Sequence, residues 1–126
     1  CMLDLEANGL SWVGGSALAA ALRGGAAPGL THLNLGCNSI GGHGATALAA
    51  APSHCPLLLS LDLHGNVIGD DGCVALGAAL AAGAVPSLDL LDLSANRIED
   101  RGCAALAPLF GGEARVSGSC CPLLTN

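Results

Sequence analysis

Asp62, His64 and Ser94 supply the three side-chain types of a nucleophile triad: a hydroxyl to attack, an imidazole to take its proton, a carboxylate to orient the imidazole. Each sits in a short phrase of alternating leucines, so all three fall on the outward side of extended segments, on one surface patch. That placement argues against catalysis. Outward strand residues point into solvent, with no pocket and no oxyanion donors to hold an intermediate. No catalytic residue is assigned. His32, Cys37 and His64 raise metal binding instead, but zinc requires four ligands at short fixed distances and only Asp62 is on hand as a fourth. No metal ligand is assigned and no cofactor is expected.

Composition narrows the chemistry further. The 126 residues contain no lysine and no tyrosine, which removes P-loop nucleotide binding, Schiff-base chemistry and a tyrosine acid together. Ten acids against four arginines give a net charge of −6, so the chain is a poor match for a phosphate backbone and any charged partner should be basic. Hydrophobic residues make up 52% of the chain, yet Trp12 and Phe110 are the only aromatics. The apolar mass is leucine and alanine, which suits thin repeated layers better than one thick core. The Ala-rich stretch from Cys73 to Val85 is too short to cross a membrane. No basic leader opens the chain, and seven cysteines without a C-x-x-C pair read as reduced thiols in the cytoplasm, with the nucleus as the alternative.

The elements that would position these residues come from a repeat. Residues 30–40 read LTHLNLGCNSI, residues 58–68 LLSLDLHGNVI and residues 88–98 LDLLDLSANRI, while LDLEANGL at 3–10 is the same phrase without its first leucine. The asparagines Asn8, Asn38, Asn66 and Asn96 are spaced by 30, 28 and 30 residues. A glycine follows each six residues on (Gly14, Gly44, Gly72, Gly102), and a leucine ten residues on (Leu18, Leu48, Leu76, Leu106). Such periods mark stacked supersecondary units. Each unit reads as a short strand, a turn and a small-residue helix. The asparagine should turn inward to serve loop backbone that no sheet ladder satisfies, forming a structural asparagine ladder through the stack. Asp70 and Asp100 stand where helix N-caps are wanted, with Asp71 beside them. Pro28, Pro56 and Pro86 each precede the next strand. Cys73 and Cys103 share a helical column and read as small buried thiols rather than a disulfide.

With these columns in place, the chain resembles the leucine-rich repeat proteins, in particular the ribonuclease-inhibitor-like subfamily, on the phrase LDLHGNVIGDDGCVALGAAL (61–80) and its relatives. The phrase is also similar to the repeats of the Ran GTPase-activating protein and of NOD-like receptors. The resemblance implies an α/β solenoid, a horseshoe with parallel strands on its concave face and helices on its convex face. It also implies a non-enzymatic module that binds another protein through the strand face. A regulatory segment of a GTPase-activating or NOD-like-receptor-type protein is the alternative. Residues 1–110 form four repeats on this reading, the first incomplete. Residues 111–126 form a loop or insertion, GGEARVSGS, and the start of a truncated fifth repeat at Leu124, so the chain is expected to be a fragment of a longer protein.

If the leucines face inward, the outward columns are Asp4, Asn34, Asp62 and Asp92, then Glu6, Gly36, His64 and Ser94, flanked by His32 and Ser60. Asp62 and Asp92 should lie on neighbouring strands about 4.8 Å apart, a like-charge pair that a basic peptide or arginine-bearing loop would relieve. The alternative is that these aspartates are solvated strand residues. The partner set expected is Asp4, Glu6, His32, Asn34, Ser60, Asp62, His64, Asp92 and Ser94, acting on a protein with a basic surface, with no nucleic acid, membrane or small-molecule substrate. Trp12, in the first loop, is either an interface anchor or a cover for the open first repeat.

Overall fold

The computed structural model describes residues 1–83, 87–107 and 115–117. Strands and helices alternate along the chain. Strand β1 (Met2–Asp4) leads to helix α1 (Ser11–Arg23), β2 (His32–Asn34) to α2 (Gly41–Ala49), β3 (Ser60–Asp62) to α3 (Gly69–Ala81) and β4 (Leu90–Asp92) to α4 (Asp100–Leu106). A 3-10 turn, Pro52–His54, interrupts the second connection, and a fifth strand, β5, spans Arg115–Ser117. All five strands lie in one parallel sheet in sequence order, and each helix packs on the next, giving an α/β solenoid.

The register is uniform. Leu3, Leu33, Leu61, Leu91 and Val116 are mutual partners across the sheet, as are Asp4, Asn34, Asp62, Asp92 and Ser117. Leu33, Leu61 and Leu91 point into the core with Leu35, Leu63 and Leu93 of the following turns, and Ile40, Ile68 and Ile98 close each layer from the loop side. Leu48, Leu76 and Leu106 come down from the helices to meet them. The core is thus a stack of identical aliphatic layers, which explains how a chain with so few aromatics buries its apolar mass.

Beyond each strand the backbone passes through left-handed conformations on both sides of the asparagine: Ala7 and Gly9, Cys37 and Ser39, Gly65 and Val67, Ala95 and Arg97. Non-glycine residues there cost on the order of 1 kcal/mol each, so something must over-determine the turn. The asparagines do. Asn66, fully buried, accepts the backbone N–H groups of Asn38 and Ile40 in the preceding unit at 3.1 Å each on its Oδ1. Its Nδ2 donates to the carbonyls of Leu35, Leu63 and His64 at 2.8, 3.0 and 3.1 Å. Asn38 and Asn96 repeat the pattern one unit earlier and later. Their own carbonyls also receive the first amide of the preceding helix, from Ser11, Gly41 and Gly69. Asn8 differs: it is exposed, and its side chain reaches only the Glu6 carbonyl, because β1 has no strand on its outer side in this chain.

Asp70 and Asp100 are not N-caps; both lie within the first helical turn, behind Ile68 and Glu99. The helix starts are held by the neighbouring unit's asparagine, which leaves Asp70 to reach sideways and accept the Glu99 N–H of the next unit at 2.7 Å. Trp12 lies in the first turn of α1 rather than in a loop, and its side chain is 58% exposed. Within the loop expected at 111–119, residues 115–117 form β5, and Val116 pairs in register with Leu91. Cys103 is disulfide-bonded, where a reduced thiol was expected, while Cys73 donates its thiol to the Gly102 carbonyl at 3.4 Å. Pro86, Phe110 and Leu124 lie outside the described residues. Among the described residues no helix is long and apolar enough to cross a membrane.

Candidate functional site

The outward face of the sheet carries two columns. One runs Met2, His32, Ser60, Leu90, with Arg115 at the same register position, and the other Asp4, Asn34, Asp62, Asp92. Met2, Asp4, His32, Asn34, Ser60 and Asp62 line a shallow depression of about 190 Å³. Met2 and Leu90 are exposed apolar members that the leucine-alternation argument did not single out. Their signal was the first outward position of each strand phrase, one register step ahead of the inward leucine.

The acidic column has a structural duty. Asp4, Asn34, Asp62 and Asp92 each accept, through Oδ1, the backbone N–H two residues on, at 3.1, 3.0, 2.9 and 2.9 Å. The strand ends in every unit, and this amide would otherwise be left without a ladder partner. Asn34 does the job as well as the aspartates, so the negative charge is not what the turn needs. The second carboxylate oxygen of Asp62 and of Asp92 takes no part in this turn bond.

His64 is the centre of a denser group. Its Nδ1 lies 2.7 Å from Asp62 Oδ1, and its Nε2 lies 3.4 Å from Cys37 Sγ and 3.7 Å from Glu6 Oε1. Glu6 Oε2 in turn accepts from Asn34 Nδ2 at 3.0 Å. These five residues come from three successive units, and the imidazole can cross between units because residue 36 is glycine: a Cβ there would overlap the ring. The hydrogen bond to Asp62 holds the His64 pKa above 6.5; burial opposes it, and the nearby charges of Asp62, Glu6 and Asp92 each add a smaller upward push.

Ser94 does not join His64. Its hydroxyl donates to Asp92 Oδ1 at 2.7 Å, one unit away on the other side. Nor does His32, whose Nδ1 meets Thr31 Oγ1 at 3.0 Å. Cys37, His64 and Asp62 do stand in the order nucleophile, base and orienter. The surrounding amides are engaged, however: Cys37 N–H bonds the His64 carbonyl, Gly65 N–H the Ser94 carbonyl and Asn38 N–H the Asn66 side chain. No oxyanion donor remains among them.

A wider depression lies on the helix side between the starts of α2, α3 and α4, lined by His43, Thr46, Asp70, Asp71 and Arg101. Arg101 pairs with Asp71 there and Asp70 caps Glu99, so its charges are spent on joining units.

The sequence model described as Leucine Rich repeat matches residues 28–49, 54–77 and 86–107, more than half of the chain. The chain belongs to the leucine-rich repeat family. No curated protein matches the chain.

Proposed function

We propose that the chain is a non-enzymatic protein-interaction module that docks a basic segment, such as an arginine-bearing loop, on its strand face. The observation that carries this reading is the alignment of Asp4, Asn34, Asp62 and Asp92 in one outward column beside exposed Met2 and Leu90. Three like charges on one rigid, pre-ordered surface favour a cationic guest, while two apolar side chains give it something to cover. The contact set comprises Asp4, Glu6, His32, Asn34, Ser60, Asp62, His64, Asp92 and Ser94. The repeat phrase supports a ribonuclease-inhibitor-like subfamily and a role within a longer regulatory protein. Cys1, Cys37 and Cys55 are unpaired thiols, which supports a cytoplasmic or nuclear setting, while the Cys103 disulfide favours an oxidising one.

Because Asn34 already serves the turn that Asp62 and Asp92 serve, Asp62→Asn with Asp92→Asn removes charge and keeps the fold. Peptides selected from a random display library on the parent chain should be enriched in arginine. The double variant should bind them about 10-fold more weakly, on the order of 1 kcal/mol or less for each half-exposed charge contact, and the loss should shrink at high salt. Selection of peptides with no basic residues, or equal binding by the double variant, would remove the acidic column as the docking site.

A further inference from the structure

We infer that Glu6, Cys37 and His64 form a binding site for a zinc-type divalent cation, open at a fourth position to solvent. Glu6 and His64 also belong to the strand-face contact set, but cation binding does not require a docked partner. Glu6 Oε1, Cys37 Sγ and His64 Nε2 all lie within 4.8 Å of one another. Two of the separations, 3.4 Å for sulfur to nitrogen and 3.7 Å for oxygen to nitrogen, are the edges of a coordination tetrahedron. Ligand atoms about 2.0–2.3 Å from a tetrahedral zinc stand roughly 3.3–3.8 Å apart. The set is mixed nitrogen, sulfur and oxygen, which suits a borderline-soft cation better than magnesium or calcium.

Two of the three ligands are already oriented. Asp62 at 2.7 Å accepts a hydrogen bond from His64 Nδ1–H and so leaves the Nε2 lone pair directed at Cys37 and Glu6, the carboxylate–histidine arrangement that supports metal-bound imidazoles. Asn34 holds one Glu6 oxygen and turns the other toward His64. Gly36 and Gly65 make the room: the imidazole lies over the first, and Cys37 Sγ lies 3.1 Å from where a Cβ of the second would be. On binding a divalent cation the Cys37 thiol gives its proton to solvent, sulfur binds the metal as thiolate, and Glu6 with Cys37 balances the two positive charges.

Cobalt(II) titration of the whole chain, with exposed thiols reduced, tests this through the thiolate-to-cobalt charge-transfer absorption. The parent should take up one equivalent with that band, and zinc should displace it. Cys37→Ser should lose that equivalent with unchanged circular dichroism, since Cys37 is exposed. Gly36→Ala keeps all three ligands but displaces the imidazole, and Asp62→Asn removes its support; each should weaken binding by about 10–100-fold. A parent with no thiolate band, full uptake by Cys37→Ser, or unweakened binding by Gly36→Ala would overturn the assignment.

Discussion

Asn66 and Asn8 occupy the same column of the repeat, and the structure predicts very different costs for removing them. In Asn66→Ala the N–H groups of Asn38 and Ile40 lose their shared acceptor in a site closed to water, and three carbonyls lose a donor. A buried donor left unpaired costs about 1–3 kcal/mol, while a carbonyl with a second lone pair suffers less. The two amides alone therefore bring the loss to about 2–6 kcal/mol, out of the roughly 5–15 kcal/mol that holds a domain together. The loss is shared by two units, because both amides belong to the unit before. In Asn8→Ala only one exposed bond to the Glu6 carbonyl disappears, and water replaces it; the cost should stay below about 0.5 kcal/mol. Urea unfolding followed by circular dichroism, on the parent and both variants, measures the difference directly. Equal costs for the two positions, or less than about 1 kcal/mol for Asn66→Ala, would refute the idea that the asparagines act by serving the preceding unit.

Further outcomes follow from the same geometry. Val67 is β-branched, 45% exposed and held at φ 56°, so Val67→Asn should raise stability by about 1 kcal/mol even though it removes an apolar side chain; a lowered urea midpoint would contradict this. A Cβ on Gly72 would stand 3.1 Å from Ala45 Cβ and 3.2 Å from Gly42 Cα while pressing on Ile68. Gly72→Ala should therefore destabilise by about 1–2 kcal/mol, against the gain that helix propensity alone forecasts, and thermal unfolding gives the sign. In chelator-treated protein, proton NMR should place the His64 midpoint above 6.5 and return it toward 6.5 in Asp62→Asn. Since the folded-state value is the higher one, the stabilisation is complete below pH 6.5 and fades as pH rises through the folded midpoint. A parent midpoint at or below 6.5 would sink the proposed pairing.

The layered fold was legible because its rules are local and repeat. Leu33, Leu61 and Leu91 fall inward by the two-residue alternation of a strand, and the 28- to 30-residue period forces each layer onto the last. Asp70 was legible as an acid near a helix start but not as a cap for its neighbour, since a sideways bond to Glu99 spans 29 residues of sequence. β5 was hidden because Arg-Val-Ser carries none of the leucine phrase; pairing with β4 alone makes it a strand.

The outward columns themselves came from the alternation, so the sequence determined that Asp4, Asn34, Asp62 and Asp92 share a face. It also determined that an asparagine recurs where the loop needs one. Only the tertiary structure decided which residues of different units touch. His64 turns toward Cys37 and Glu6 rather than toward Ser94 or His32, because Gly36 leaves space on one side and Asp92 has already engaged the serine on the other. Strand period fixes the side of a sheet on which a residue lies. Side-chain reach and the absence of a Cβ across a gap between units fix its partner, and those quantities exist only once the units are stacked.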